Sequence, residues 1–244
     1  MQAAEFEFHP DFRPALLQGP YRRSMRLHIP DFLIEENARR LSLALETATD
    51  WTLVFNRGDK IIELEEQHQL DLTNEQRRVI DLAVNEGGRH GFQFKYHTMR
   101  VQDSASERKL DPGMLSRFAK FLGSETVLSA IRTITGLEDI GWADAQATRF
   151  GPGDFLTLHD DEVASKNRRA AYVVNLSPSW KADWGGLLMF HGADGHVDEA
   201  LTPAFNALNL FTIPQPHSVS VVAPFAPDHR YSITGWFRAG AAPI

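Results

Sequence analysis

The sequence predicts an α+β chain that is mostly β, a jelly roll or sandwich braced by helices from its first half. Two patterns support this. The first half carries apolar residues at three-four spacing, the period of an amphipathic helix. The second half carries short runs of β-branched and aromatic residues separated by glycine and proline, the mark of many short strands. At 244 residues, 43% hydrophobic and 10% aromatic, the chain can bury a large core, and all-β folds of this size are commonly one domain. We therefore read one domain over residues 1–244, with 1–140 as a helical support region and 141–240 as the β core. Helices first and strands later would also suit two domains, but no linker-like tract divides them.

Taken in order, Ile29-Pro30-Asp31-Phe32-Leu33 leads into a helix from about Glu35 to Thr49, where Ala38, Leu41, Leu45 and Ala48 make one apolar stripe. The polar stretch 51–72, with Arg57-Gly58-Asp59-Lys60 and Glu63, Glu65 and Glu66, reads as a mobile loop or a hairpin. Thr73 followed three residues later by Gln76 is a capping-box signature, and that helix is expected to end near Gly87-Gly88. A third helix is expected from Asp111-Pro112, with proline suited to the first turn, to about Leu122 before Gly123. A fourth is expected over Thr126 to Thr135. Strands are then expected at 155–158, 170–176, 186–190, 207–211, 218–222 and 230–237. Pro178, Gly185-Gly186, Gly192 to Gly195, Pro214-Gln215-Pro216 and Pro224 to Asp228 punctuate them.

Composition narrows the function. A net charge of −7 argues against a general nucleic-acid binder. The absence of cysteine excludes a disulfide scaffold and any thiolate metal site, and fits a reducing compartment. The first residues lack a basic and then apolar leader pattern, and no apolar run approaches the roughly 18 residues needed to span a bilayer. The expectation is a soluble cytoplasmic protein with no membrane or direct nucleic-acid partner.

The chemistry is concentrated in Leu158-His159-Asp160-Asp161-Glu162. A non-haem Fe(II) centre uses two neutral imidazoles and one carboxylate on one face of an octahedron, leaving the other face open. In His159-x-Asp161 the two side chains straddle one residue, so at an extended strand end both point to the same side. A lone downstream histidine, His217, opens another strand and is the candidate third ligand. An H-x-D in a chain with ten histidines also suits a capped turn, but both groups sit where strands meet loops, which favours a precise site. Arg230, thirteen residues after His217, starts a strand of core residues. Its planar fork suits the distal carboxylate of a dicarboxylate co-substrate, and burial without an anion would be costly. Ser232 shares its face. His191 and His196, at a hairpin tip, and His229, which would point away from Arg230, are weaker ligand candidates.

The ordered motifs are His159-Asp160-Asp161-Glu162, Arg168-Arg169, Ser179-Trp180, Trp184-Gly185-Gly186-x-Leu188-x-Phe190, Asn209-Leu210-Phe211, His217-x-Val219-Ser220-x-Val222 and Arg230-x-Ser232-Ile233-x-Gly235-Trp236-Phe237. Together they resemble the Fe(II)/2-oxoglutarate-dependent prolyl hydroxylases, and within them the branch that hydroxylates a proline of a small-subunit ribosomal protein in eukaryotes. The resemblance is dense from about Phe150 to Ala239. It implies a double-stranded β-helix of cupin-like jelly-roll form, with His159, Asp161 and His217 as iron ligands and Arg230 as the 2-oxoglutarate anchor. Fe(II), 2-oxoglutarate and O₂ are the implied cofactor and co-substrates, with ascorbate as an auxiliary reductant, and a protein bearing a target proline as the partner. The eukaryotic branch carries a second, degenerate copy of the fold, for which this chain is too short. That leaves the substrate open.

Two departures stand out. Positions where relatives place a tyrosine near 2-oxoglutarate align with Phe150 and Asn175, so Arg230, Ser232, Thr234 or Asn175 must supply more of the polar contacts. Arg168 and Arg169 align with an arginine at the substrate mouth, or form a solvated basic turn. Trp236 lines the pocket or packs in the core. Asp160 and Glu162 are candidates to orient the ligand histidines. The same chemistry on free proline or another small molecule, and a non-catalytic metal-binding jelly roll, are the alternative functions.

Overall fold

A computed structural model of the chain describes residues 5–104 and 113–243. Six α-helices occur among these residues: α1 (Pro14–Ser24), α2 (Glu35–Glu46), α3 (Glu66–Leu70), α4 (Asn74–His90), α5 (Met114–Leu122) and α6 (Glu125–Thr135). The strands of the first half are β1 (Arg26–Ile29), β2 (Thr52–Arg57), β3 (Lys60–Leu64) and β4 (Phe94–Arg100). Those of the second half are β5 (Ile140–Ala143), β6 (Gln146–Phe150), β7 (Phe155–His159), β8 (Arg168–Asn175), β9 (Leu188–His191), β10 (Val197–Leu201), β11 (Ala207–Thr212), β12 (His217–Val219) and β13 (Arg230–Ala239).

Helices α2, α4, α5 and α6 lie where the sequence predicts helices, with one instructive difference, while α1 and α3 lie outside those expectations. Thr73 Oγ1 accepts the Gln76 N–H at 3.2 Å while Gln76 Oε1 accepts the Thr73 N–H at 2.8 Å, a complete capping box for α4. The helix does not stop at Gly87-Gly88 but runs on to His90. Gly87 serves packing instead: a Cβ there would lie 2.1 Å from Gln93 Oε1. Helix α5 starts at Met114, and the expected start at Asp111-Pro112 lies outside the described residues. Ser124 caps α6, which ends on left-handed Gly136 with φ 74°.

The first half carries strands as well as helices. Residues 51–72 form the β2–β3 hairpin followed by α3, and β2 pairs with β4, which lies between β6 and β7. All strand pairings are antiparallel, in the order β1-β11-β8-β13-β6-β4-β7-β12-β9-β10 with β2, β3 and β5 to the side. The sheet curls into a nearly closed barrel of jelly-roll type.

Period-two alternation sorts the central strands into two environments. From β8 and β13, Ala170, Tyr172, Val174, Tyr231, Ile233 and Phe237 join the main core, which includes Leu41 and Leu45 of α2, Phe118 and Leu122 of α5, and Ile131 and Ile134 of α6. The alternate residues Ala171, Val173, Arg230, Ser232, Thr234 and Trp236 face a cavity inside the barrel. The helices therefore brace the outer face and leave the inner face free for chemistry.

Gly235 sits where β13 meets no spare volume. A Cβ there would approach Asp144 O to 2.4 Å and Tyr172 Oη to 2.9 Å, and that phenol donates to the same carbonyl at 2.6 Å. Gly235→Ala is expected to cost about 1–3 kcal/mol, the usual range for overpacking, read as a lowered denaturation midpoint in a urea or thermal melt.

Candidate metal centre

The site begins with strand register. Strand β12 pairs with β7 so that His217 lies opposite His159, and their rings stand 4.1 Å apart. Asp161 lies beyond the end of β7 with φ 63°. The H-x-D pair therefore converges through a left-handed turn, not through strand alternation as expected. That conformation costs an aspartate on the order of 1 kcal/mol and is characteristic of functional sites. The result brings together one ligand atom from each of His159, Asp161 and His217, all within 4.8 Å of one another.

Hydrogen bonding sets the chemistry of each imidazole. His159 Nδ1 donates to Thr157 O at 2.9 Å and His217 Nδ1 donates to Gln215 O at 2.8 Å. A carbonyl can only accept, so in the neutral ring Nδ1 carries the proton and Nε2 the lone pair. Both Nε2 atoms face the carboxylate, His159 at 3.6 Å from Asp161 Oδ1 and His217 at 3.5 Å from Oδ2. Two neutral nitrogen donors and one anionic oxygen donor fit Fe(II). The orienting acceptors are backbone carbonyls, not Asp160 or Glu162: Asp160 Oδ1 is used by the Glu162 N–H.

The triad opens on a cavity of about 170 Å³ lined largely by apolar groups, among them Phe92, Phe94, Leu156, Val173, Leu188 and Val219. Arg230 lies at its wall, 2% exposed, with Nε and Nη1 buried and lacking any hydrogen-bond partner among the described residues. Burial lowers its pKa to about 10, which still leaves it a cation at neutral pH. Its guanidinium lies 5.4 Å from the Phe150 ring centroid. Gly186 leaves room for the arginine stem, since a Cβ there would sit 3.3 Å from Arg230 Cδ.

The other residues singled out in the sequence divide. Ser232 Oγ meets Thr148 Oγ1 at 2.8 Å, and Thr234 Oγ1 donates to Tyr172 O at 2.8 Å; all three hydroxyl residues Ser232, Thr148 and Thr234 line the cavity. Asn175 is buried, donates to Ala207 O at 3.3 Å, and is not among the cavity-lining residues. Trp236 lines the cavity. Arg168 stacks on Trp236, whereas Arg169 turns away and pairs with Asp139 at the surface. His191 Nε2 meets Ser218 Oγ at 2.7 Å, and neither His191, His196 nor His229 belongs to a metal-competent group among the described residues.

Sequence reasoning missed Tyr96 and Gln146. Tyr96 stacks on Phe150 at 4.9 Å between centroids and 18° between planes, and both Tyr96 and Gln146 line the cavity. Strand β4 thus carries to the cavity a phenol that Phe150 lacks, with its pKa raised by burial. The alternation Phe92, Phe94, Tyr96, all three lining the cavity, was the signal that could have found it.

Burial, reinforced by neighbouring His159, lowers the pKa of His217 from 6.5 to about 4. Between these values the unfolded chain takes up a proton that the folded chain refuses, so stability falls as pH drops from 6.5 toward 4 and is unaffected above that window. Chemical denaturation of the metal-free protein at a series of pH values is expected to show this slope, and His217→Gln is expected to flatten it.

Comparison with known proteins agrees with this geometry. Residues 145–238 match the family model described as the 2OG-Fe(II) oxygenase superfamily. A prolyl 3-hydroxylase, OGFOD1, of Mus musculus is 32% identical over 154 residues, which cover 60% of this chain and 28% of that protein. The matched regions amount to less than a third of the length of the curated relatives. A Pseudomonas putida prolyl-4-hydroxylase structure superposes with a TM-score of 0.61 at 18% identity, covering 94% of this chain and all of that one. A Trichoplax adhaerens prolyl hydroxylase, in complex with a hypoxia inducible factor peptide fragment, gives a TM-score of 0.56 at 19% identity, with coverages of 93% and 89%. These superpositions identify the fold as the double-stranded β-helix. Residues 145–238, the part that matches the 2OG-Fe(II) oxygenase superfamily model, carry the His159–Asp161–His217 triad and Arg230.

Proposed function

We propose that this chain is an Fe(II)- and 2-oxoglutarate-dependent dioxygenase that hydroxylates a prolyl residue of a protein, with release of succinate and CO₂. The observation that carries the reading is Arg230, a fully buried cation with unpartnered donors on the same cavity as the triad. A guanidinium is held there at a large desolvation cost unless an anion joins it, and its fork matches a carboxylate. A jelly roll that merely stored metal would need no such group.

In this reading His159, Asp161 and His217 hold Fe(II), which together with 2-oxoglutarate and O₂ supplies the oxidative decarboxylation coupled to hydroxylation of an unactivated C–H bond. Arg230 takes the distal carboxylate of 2-oxoglutarate. Ser232, Thr148 and Thr234 present hydroxyls beside it, and Tyr96 adds a phenol from the neighbouring strand. The apolar wall excludes water, so each of these polar contacts acts in a low dielectric and orients the co-substrate strongly. Ascorbate belongs to the reading as an auxiliary reductant. The cysteine-free sequence supports a reducing, cytoplasmic setting.

The protein prolyl substrate is supported by the relatives named as prolyl hydroxylases, one of them bound to a peptide. A small-subunit ribosomal protein is the first target to test. Purified enzyme with Fe(II) is expected to convert 2-oxoglutarate to succinate, and Asp161→Ala to reduce that turnover to background; equal turnover in the variant refutes the reading. Arg230→Lys keeps the charge but loses the fork, and is expected to raise the KM for 2-oxoglutarate by roughly tenfold with a smaller effect on kcat. Intact-mass comparison of ribosomal proteins from cells with and without the enzyme is expected to show the gain of one oxygen atom. If only free proline gains oxygen in vitro, the substrate is a small molecule.

A further inference from the structure

Asp161 is the least constrained member of the triad by its own backbone. It lies past the end of β7 in a left-handed conformation, so strand pairing does not aim its carboxylate. Two side chains from other strands reach it instead. The Trp236 indole Nε1 donates to Asp161 Oδ2 at 3.0 Å, and Arg168 Nη1 donates to the Asp161 carbonyl at 2.9 Å.

These two donors are themselves stacked. The Arg168 guanidinium lies 3.5 Å from the Trp236 ring centroid, a close cation–π contact. Trp236 is pinned from behind as well: its backbone N–H donates to Asp144 Oδ1 at 2.7 Å, and Asp144 forms a close ion pair with Arg238. Arg238 in turn lies 4.8 Å from the Trp142 ring and 5.8 Å from that of Trp236. Trp142, Arg238, Trp236 and Arg168 thus form a continuous ladder of rings and guanidinium groups that ends on the carboxylate.

We infer that Trp236 and Arg168 are positioning residues for the metal-ligating carboxylate of Asp161, Trp236 by engaging one carboxylate oxygen and Arg168 by fixing the turn and the indole plane. This inference rests on the reading of His159, Asp161 and His217 as the metal site. It departs from a role for Arg168 and Trp236 as contacts for the protein substrate. An indole N–H on Oδ2 leaves the carboxylate one oxygen with a defined direction and stops it rotating about its Cβ–Cγ bond. Outer-sphere partners of this kind govern metal affinity as well as turnover.

The test measures metal binding in the absence of co-substrate or substrate. Mn(II), which resists oxidation, is titrated into the metal-free full-length chain by calorimetry, with thermal melts run in parallel. Trp236→Phe keeps the ring for Arg168 to stack on and removes the N–H. It is expected to weaken Mn(II) binding about tenfold with the melting temperature little changed. Arg168→Gln is expected to weaken it as well. The double variant is expected to lose less than the product of the two single effects, because both act through one carboxylate.

Wild-type Mn(II) affinity in folded Trp236→Phe and Arg168→Gln overturns the inference, as does a raised KM for a prolyl substrate with metal affinity unmoved. If Trp236→Phe does not fold, Arg168→Gln and an Arg168→Lys rescue decide: lysine keeps a donor without the planar stack and is expected to restore only part of the affinity. Failure of the wild-type chain to bind Mn(II) at all refutes the metal-site reading beneath the inference, an outcome distinct from the others.

Discussion

The antiparallel register of β12 on β7, with His217 directly opposite His159, is the constraint on which the centre depends. A slip of one residue in a β pairing turns every side chain to the other face of the sheet. Here it would exchange His217 for Ser218 and point the second imidazole away from the first. Strand β12 is only three residues long, so its own ladder is a weak guarantee of that register. The guarantee comes from its other neighbour, β9, which sets Phe190 opposite His217, and from Phe211, whose ring meets the imidazole edge-on at 4.7 Å. Carbonyl acceptors two residues upstream of each histidine then settle which nitrogen faces inward.

Electrostatics complete what the register begins. The cavity concentrates two imidazoles, a carboxylate and a guanidinium inside an apolar barrel, where unpaired charge is expensive. His217 answers by remaining neutral well below the usual histidine range, which preserves its lone pair. Arg230 cannot answer that way, and remains a cation with unfilled donors. Its stem is accommodated by the missing side chain of Gly186, and its head lies by Phe150, itself stacked against Tyr96. The fold's stability and the anion site proposed at Arg230 therefore draw on the same residues. Helices α1, α2, α5 and α6 take no part in this chemistry, yet they pack on the outer face of β8 and β13 and so hold in place the strands that present it.

Much of this was legible in the residues. The alternation Arg230-x-Ser232-x-Thr234-x-Trp236 against Tyr231, Ile233 and Phe237 foretells two faces, one polar and one apolar, and the barrel realises both. The capping box at Thr73 foretells the start of α4, but Gly87-Gly88 misleads about its end, because a glycine in a helix also admits a close neighbour and only packing reveals Gln93 there. The polar stretch 51–72 offers a loop or a hairpin and the structure holds the hairpin, whereas β4 escapes a helical reading of the first half: its partners β6 and β7 lie about fifty residues or more away along the chain.

The sequence by itself determined the kinds of atom available: two histidines, an aspartate and an arginine at strand ends, strands whose faces alternate, and helices with one apolar stripe. Those follow from side-chain chemistry and local periodicity, which a linear pattern records. Only the tertiary structure decided that Asp161 reaches the histidines through a left-handed turn, that Trp236 and Arg168 bear on it, and that Tyr96 supplies the phenol missing at Phe150. Each of these depends on strands far apart in the chain meeting at one register, and no local pattern encodes which rung of one strand faces which rung of another.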